Sequence, residues 1–309
     1  RPLLEGAGPD PGDEVVEGSL MAVMSMTGAS EAEAKSSPKR DGFELLGLPE
    51  ISLHELSARA ELLKRTDRKY LVPDRTVAEM VGFLCDIGAC ALTIDGLQTF
   101  SYLSDYYDTL DFALYRAAAT KRRRRFKLRS RIYLDSGLHF MELKTRSGRG
   151  QNVKDRLRLE DVRSKDCFYR GDPAEPLTRS EVLPWAAKLL VSRGVTATHR
   201  EGLRTLASLM PSSRSYYRRS TVCLPDDSRL TIDRGLVLAG PGEDSGFEFP
   251  EVVVETKSSG RTSDVDRWLW SRGIRPSRVS KYAIGTAIVH PELPANRWHS
   301  TMTKLGIRR

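Results

Sequence analysis

Alternation of charged and uncharged residues is the main pattern of this chain, and it is strongest in the stretch 125–131 (RFKLRSR). Successive side chains of a strand point to opposite faces. Read as a strand, this stretch places its basic residues on one face and Phe126, Leu128 and Ser130 on the other. A solvated basic strand would explain this segment alone. The same pattern recurs in several other segments, which one solvated strand does not explain.

The alternating segments and the turn residues between them predict mostly antiparallel strands with inserted helices, an α+β arrangement. We predict strands over 61–72, 99–108, 122–131, 139–145, 152–160, 215–224, 229–238 and 251–257. A helix is predicted to begin with Asp74 as its N-cap, and others are predicted over 110–119 and 265–272, the last ending at Gly273. Residues 279–283 are predicted to be the last strand or the start of a helix.

Three segments of the chain differ in character. Residues 1–40 are rich in Gly, Pro, Ser, Glu and Ala without a sustained period, and we expect them to be disordered. Residues 41–290 carry the alternating pattern and are predicted to form one domain with a helical insertion at about 161–212. Residues 291–309 form a basic tail in which no element is predicted.

The composition narrows the possible partners and the compartment. A net charge of +8 over 309 residues favours an anionic partner, such as nucleic acid, a phosphate compound or an acidic membrane. The 4 cysteines form no CxxC pair, which argues against a zinc site or a disulfide scaffold and favours a reducing compartment. No apolar run approaches the roughly 20 residues of a membrane span, and no signal peptide is recognisable. We therefore expect a cytoplasmic protein.

If the apolar strand faces pack against helices, the charged faces must face each other or water. Closure of the sheet into a barrel would turn them inward around a water-filled lumen. Basic side chains there would bind phosphoryl oxygens, and carboxylates would bind a hard cation such as Mg²⁺ or Mn²⁺. The alternative is an open sheet whose exposed basic face suits nucleic acid. Aromatic residues are only 7% of the chain and are scarce on the basic faces, so no nucleic acid partner is expected.

Eight short motifs follow one another between residues 65 and 282. They are Arg65–Val72, Ser104–Thr109, Phe126–Arg131, Met141–Lys144, Tyr217–Arg219, Arg229–Asp233, Val254–Lys257 and Ser280–Tyr282. In this order they resemble the motifs of the VTC domain, the catalytic domain of the vacuolar transporter chaperone polyphosphate polymerase and its bacterial relatives. That domain belongs to the triphosphate tunnel metalloenzymes, which are related to the CYTH phosphatases. The resemblance implies an antiparallel β-barrel tunnel with flanking helices.

The resemblance also implies an activity and a set of site residues. The activity is a metal-dependent phosphotransferase that passes the γ-phosphoryl group of ATP to inorganic phosphate or to a polyphosphate chain, with Mn²⁺ or Mg²⁺ as cofactor. Carried over by motif, the catalytic phosphate contacts are Lys69, Lys127, Arg129, Lys144, Arg219, Arg229 and Lys281, and Glu255 binds the metal. Second-tier candidates share faces with these residues: Arg131, Lys154, Arg156 and Lys257 for phosphate, and Glu142 for metal or for a salt bridge with a neighbouring Arg.

One strand departs from the CYTH phosphatases, whose paired-glutamate strand reads ExExK. Here it reads Arg65-x-Asp67-x-Lys69, and the lost negative charge weakens a two-metal hydrolytic site. Whether Asp67 binds metal stays open. The alternatives are a triphosphate hydrolase of the same fold and a catalytically silent polyphosphate- or nucleotide-binding module. Because no membrane span is predicted in this chain, any membrane partner would be a separate protein.

Overall fold

The alternating segments form an α+β fold in which one large, mostly antiparallel sheet is flanked by helices. The computed structural model describes residues 45, 47–59, 66–146, 152–160 and 171–308. The segment predicted to be disordered (1–40), Arg65 and residues 161–170 lie outside this part of the chain. The predicted fold class is confirmed for the sheet and for its flanking helices.

The elements follow the predicted order closely. The strands are β1 (Glu50–Ile51), β2 (Thr66–Val72), β3 (Cys90–Leu92), β4 (Thr99–Thr109), β5 (Arg125–Tyr133), β6 (Leu138–Arg146), β7 (Asn152–Arg158), β8 (Leu209–Cys223), β9 (Arg229–Ala239), β10 (Phe247–Glu248) and β11 (Val252–Ser258). The helices are α1 (Leu53–Arg59), α2 (Asp74–Asp86), α3 (Ala113–Ala119), α4 (Glu175–Thr178), α5 (Val182–Ser192), α6 (His199–Ala207), α7 (Asp264–Ser271), α8 (Lys281–Val289), a 3-10 helix (Asn296–Trp298) and α9 (His299–Lys304).

The strands pair in the order β2-β11-β9-β8-β4-β5-β6-β7. Strand β10 pairs with β9, and β3 pairs with both β8 and β1. Within the described residues β2 and β7 share no pairing, so the sheet is open there and the predicted closed barrel is not formed. Alternation along a strand fixes the face that each residue takes, but it does not fix which strands become neighbours.

The two faces of the sheet differ as the sequence predicts. On one face Leu128, Met141 and Leu143 are fully buried in a core that includes side chains of helix α5. On the other, burial lowers the pKa of Lys144 on β6, and the positive charge of Lys69 on β2 lowers it further. Strands far apart in the pairing order therefore face each other, which means that the sheet curves. We call the charged side the concave face and the apolar side the convex face.

Helix α8 belongs to the same hydrophobic cluster but contacts the concave side of β4 and β8. The ring of Tyr282 lies 5.6 Å from that of Tyr106 on the concave face, and Ser280 caps the helix by accepting from the backbone N–H of Ala283. Residues 279–283 are therefore the start of a helix, one of the two predicted outcomes. In the predicted tail, Trp298 and Met302 are buried, so this segment is folded. The division into domains stays a prediction.

Two local predictions are wrong. Asp74 is not an N-cap, because Pro73 occupies that position and the Asp74 carboxylate instead pairs with Arg234 at 2.9 Å. Strand β8 begins at Leu209, earlier than predicted, and it carries an irregularity between Tyr216 and Arg218 that shifts its register with β9. Within the missed part, Tyr106 pairs with Ser213 and Tyr107 with Pro211, and this second register shift breaks the simple alternation there. Among the described helices, none has the length and apolar character needed to cross a membrane.

Asp266 fastens helix α7 to the convex face of the sheet. Its buried carboxylate accepts hydrogen bonds from the Tyr70 hydroxyl at 2.6 Å, from Thr256 Oγ1 at 2.7 Å and from Arg68 Nη1 at 3.1 Å. It also accepts from the backbone N–H of Ser263 at 2.9 Å, which completes a capping box at the start of α7. One carboxylate therefore joins two strands to one helix.

Replacing Asp266 with Ala should lower the free energy of unfolding by about 3–5 kcal/mol, because Arg68 and two buried hydroxyls lose their shared acceptor. Urea denaturation measures this loss. Asp264→Ala is the matched control: Asp264 lies on the same helix and its ion pair among the described residues is with the exposed Arg267, so its loss should cost about 1 kcal/mol or less. Equal losses in the two variants would contradict the role of Asp266.

Candidate functional site

Three lysines lie in one row across strands β5, β6 and β7. Lys127 is directly opposite Lys144, which is directly opposite Lys154. Residues opposite each other in antiparallel strands share a face, and like charges in such pairs repel. Burial and the positive charges of Lys144 and Lys69 lower the pKa of Lys127 to about 7. A bound anion would relieve this repulsion.

The carboxylate of Glu142 forms ion pairs with several cations of strands β5 and β7. Its side chain is 2% exposed, and Arg129 Nε donates to its carboxylate at 2.7 Å. Lys154 Nζ lies 2.7 Å from the same carboxylate, and Arg156 Nε lies 3.2 Å from it. Burial would raise the pKa of Glu142, but the charges of Arg129, Lys154 and Arg131 hold it well below its usual value. The ionised carboxylate therefore fixes the positions of several predicted phosphate contacts.

The carboxylate of Asp233 forms ion pairs with cations of strand β8 and helix α8. Arg219 donates to its carboxylate from Nε at 2.6 Å and from Nη2 at 2.8 Å, and Lys281 forms an ion pair with it. Burial opposes ionisation, but these two cations lower the pKa of Asp233. Asp233 is not among the predicted site residues. Its place on the same strand face as Arg229 was the available signal.

Glu255 is held more loosely than the other two carboxylates. It lies opposite Lys69 in the adjacent strand, with 3.5 Å between the charged atoms, and 3.9 Å separates it from Lys257. Its negative charge raises the pKa of Lys69. Although burial would raise the pKa of Glu255, Lys69 and Lys257 lower it. Glu255 is therefore an ionised carboxylate without a close ion pair among these contacts.

A divalent metal bound here would need ligands from the substrate as well as from the described side chains. Within the described part of the chain, no three Asp, Glu, His or Cys side chains are grouped to hold a metal. Mg²⁺ commonly binds through one or two carboxylates and substrate phosphates while keeping several waters. Glu255 fits that role better than Glu142, whose two carboxylate oxygens already contact cations at 2.7 Å. Asp67, which is not assigned to the metal from the sequence, lies opposite Lys257 on the same face.

Tyrosines also line the concave face, contrary to the expectation that aromatic residues are scarce there. The guanidinium of Arg219 lies 5.5 Å from the ring centre of Tyr102 and 5.2 Å from that of Tyr217. Lys281 Nζ lies 4.2 Å from the ring centre of Tyr217. Arg131 donates to the Tyr217 hydroxyl at 2.9 Å. The residues are Tyr102, Tyr106, Tyr133 and Tyr217. The expectation failed because it considered each basic strand alone, whereas most of these rings come from the neighbouring strands β4 and β8.

The predicted site residues share one side of the molecule. Pairing registers place those of the strands on the concave face, and Lys281 reaches it from the start of helix α8. Arg229 lies in a row with Lys257 and Asp67, one row away from Glu255 and Lys69. The structure thus brings the set together, while the role of each residue stays a prediction.

The sequence model of the VTC domain matches residues 64–290. No curated protein sequence matches the chain. Similar solved structures include a candidate adenylate cyclase from Bacillus halodurans, at 15% identity over 80% of this chain and 91% of that chain, with a TM-score of 0.35. Another is a candidate adenylyl cyclase from Hippeastrum with a dominant triphosphatase activity, at 16% identity over 75% of this chain and 98% of that chain, with a TM-score of 0.42.

Lys127 should make anion binding depend on pH near neutrality. With a pKa of about 7, most of its charge is lost between pH 6 and pH 8, so tripolyphosphate should bind less tightly at the higher pH. Lys127→Arg keeps its charge throughout this range. Relative to that variant, the wild-type dissociation constant should rise about tenfold from pH 6 to pH 8.

Isothermal titration calorimetry at several pH values measures this ratio. Comparison with the Arg variant cancels the ionisation of the ligand and of the other lysines. A ratio that stays constant across the range would show that the Lys127 amine does not titrate there.

Proposed function

Since the chain belongs to the VTC domain family, a family of triphosphate-tunnel enzymes, we propose that it is a metal-dependent polyphosphate polymerase. The reaction transfers the γ-phosphoryl group of ATP to inorganic phosphate or to a polyphosphate chain on the concave face. The observation that supports the proposal is the excess of Lys and Arg over carboxylates on that face, contributed by separate strands and by helix α8. Such a face suits a ligand with many negative charges in a line.

Phosphoryl transfer depends mainly on positioning and on charge neutralisation. Arg129 and Arg219 are suited to positioning, because Glu142 and Asp233 hold their guanidinium groups in place before substrate binds. Guanidinium groups fixed in this way bind phosphoryl oxygens without reorganisation at the moment of reaction. A divalent metal at Glu255 would supply further neutralisation of the phosphoryl charge.

The lysine row would act by charge more than by geometry. The ammonium groups of Lys127 and Lys144 repel each other in the free protein, while that of Lys154 is paired with Glu142. Phosphates placed among them would restore full protonation of Lys127 and remove the repulsion. This arrangement favours a bound chain over an empty site, which suits an enzyme that retains its product for the next transfer.

The loss of carboxylates from the strand with Asp67 and Lys69 supports transfer in preference to hydrolysis. A two-metal site needs several closely placed carboxylates to hold both ions. Here Asp67 and Glu255 are separated along β2 and β11 by one row of residues, and Lys69 lies directly opposite Glu255. The proposed location is the cytoplasm, and the proposed partner for export of product is a separate membrane protein.

Incubation of the protein with ATP and Mn²⁺ distinguishes the proposed activity from its alternatives. We expect long-chain polyphosphate, visible on a gel, and no product when the metal is chelated. Release of phosphate alone would identify a triphosphate hydrolase. ATP binding without turnover would identify a silent binding module, and Glu255→Gln would then change little.

Arg129→Ala and Arg229→Ala should both reduce polyphosphate synthesis, the former by about 100-fold, because a fixed donor to the transferred group is removed. Arg200→Ala is the control, since Arg200 is exposed on helix α6 and belongs to no predicted site. Circular dichroism establishes that each variant is folded. Undiminished synthesis in both Arg129→Ala and Arg229→Ala would remove these residues from the site.

A further inference from the structure

A second group of basic residues lines a pocket of about 300 Å³ that adjoins the lysine row. Lys127 and Lys144 form one wall of the pocket, so it is continuous with the concave face. The other basic lining residues are Arg125, Arg146, Arg278 and Arg297, which we call the arginine pocket. None of these four belongs to the predicted site.

The register explains how the pocket extends the concave face. Arg125 lies directly opposite Arg146, and this pair is the next one on the same face after Lys127 and Lys144. The remaining two arginines come from the segment before helix α8 and from the 3-10 helix. Four separate parts of the chain thus place guanidinium groups around one opening.

Within the described residues, the arginine pocket holds positive charge that no carboxylate compensates. Among the described residues its lining contains no carboxylate, and no ion pair joins these four arginines to one. Burial and the charges of Arg146 and Arg297 lower the pKa of Arg125. Burial and the charges of Arg278 and Arg146 lower the pKa of Arg297. Guanidinium groups that repel one another in this way form a strong site for an anion.

Two of the arginines are held in place by the backbone. Arg297 Nη1 donates to the carbonyl oxygen of Ala118 at 3.0 Å, and Arg125 Nη1 donates to the carbonyl oxygen of Arg122. These bonds use one N–H group of each guanidinium and leave other N–H groups for a ligand. The pocket is therefore partly organised before an anion enters.

We propose that the arginine pocket binds the phosphate units of a linear polyphosphate that extend beyond the lysine row. The proposal rests on the proposed function for the identity of the chain, and it adds a site for the part of the chain distant from the reacting phosphates. A ligand of three phosphates is held by the lysine row and its neighbours. A longer chain continues into the arginine pocket, so affinity increases with chain length.

The test uses the double variant Arg146→Gln/Arg278→Gln, which removes two guanidinium groups that make no described ion pair. Dissociation constants are measured for tripolyphosphate and for long-chain polyphosphate at one salt concentration. The variant should bind the long chain about tenfold less tightly and change tripolyphosphate binding less than twofold. The control is Arg200→Gln/Arg204→Gln, which makes the same charge change on the exposed surface of helix α6.

An equal change for the two ligands, or a change no larger than in the control, would overturn the proposal. So would a larger loss for a single-stranded DNA oligonucleotide than for long-chain polyphosphate, because the pocket would then serve nucleic acid. The measurement does not need turnover. If the wild-type protein makes no polyphosphate from ATP, the proposed function fails, while the two affinities still decide what the arginine pocket binds.

Discussion

Repulsion among the cations of the concave face is the constraint on which this structure depends. Three carboxylates, Glu142, Asp233 and Glu255, offset part of the charge, and each lies beside at least two cations. They leave an excess of positive charge that burial makes more costly than it would be at an exposed surface. A polyanion is the partner that would satisfy this excess, so the electrostatics of the free protein already indicate the class of ligand.

The convex face supplies the stability that the concave face lacks. Apolar residues of β5 and β6 pack in the main core, and Asp266 ties β2 and β11 to helix α7. The strands that carry the cations are therefore fixed from behind by ordinary packing and hydrogen bonding. This separation lets one face be optimised for folding while the other holds a charge arrangement that folding alone would not favour.

Alternation in the sequence was enough to predict most strands and the face that each charged residue takes, because the side-chain period of a strand is two residues. It was not enough to predict which strands far apart in the sequence are neighbours. The contact of Asp233 with Lys281 and the place of Tyr217 beside Arg131 and Lys281 arise from contacts between distant segments. For the same reason the sequence could not show that, as far as the chain is described, the sheet is open between β2 and β7.

The most direct test of the account is whether one ligand covers lysines from different strands at once. Amine labelling followed by mass spectrometry, with and without tripolyphosphate, measures the protection of each lysine. The account predicts joint protection of Lys69, Lys127, Lys144 and Lys281, while the exposed Lys188 on helix α5 stays fully labelled. Protection confined to one strand, or equal labelling with and without the ligand, would contradict the convergence of these cations on a single polyanion.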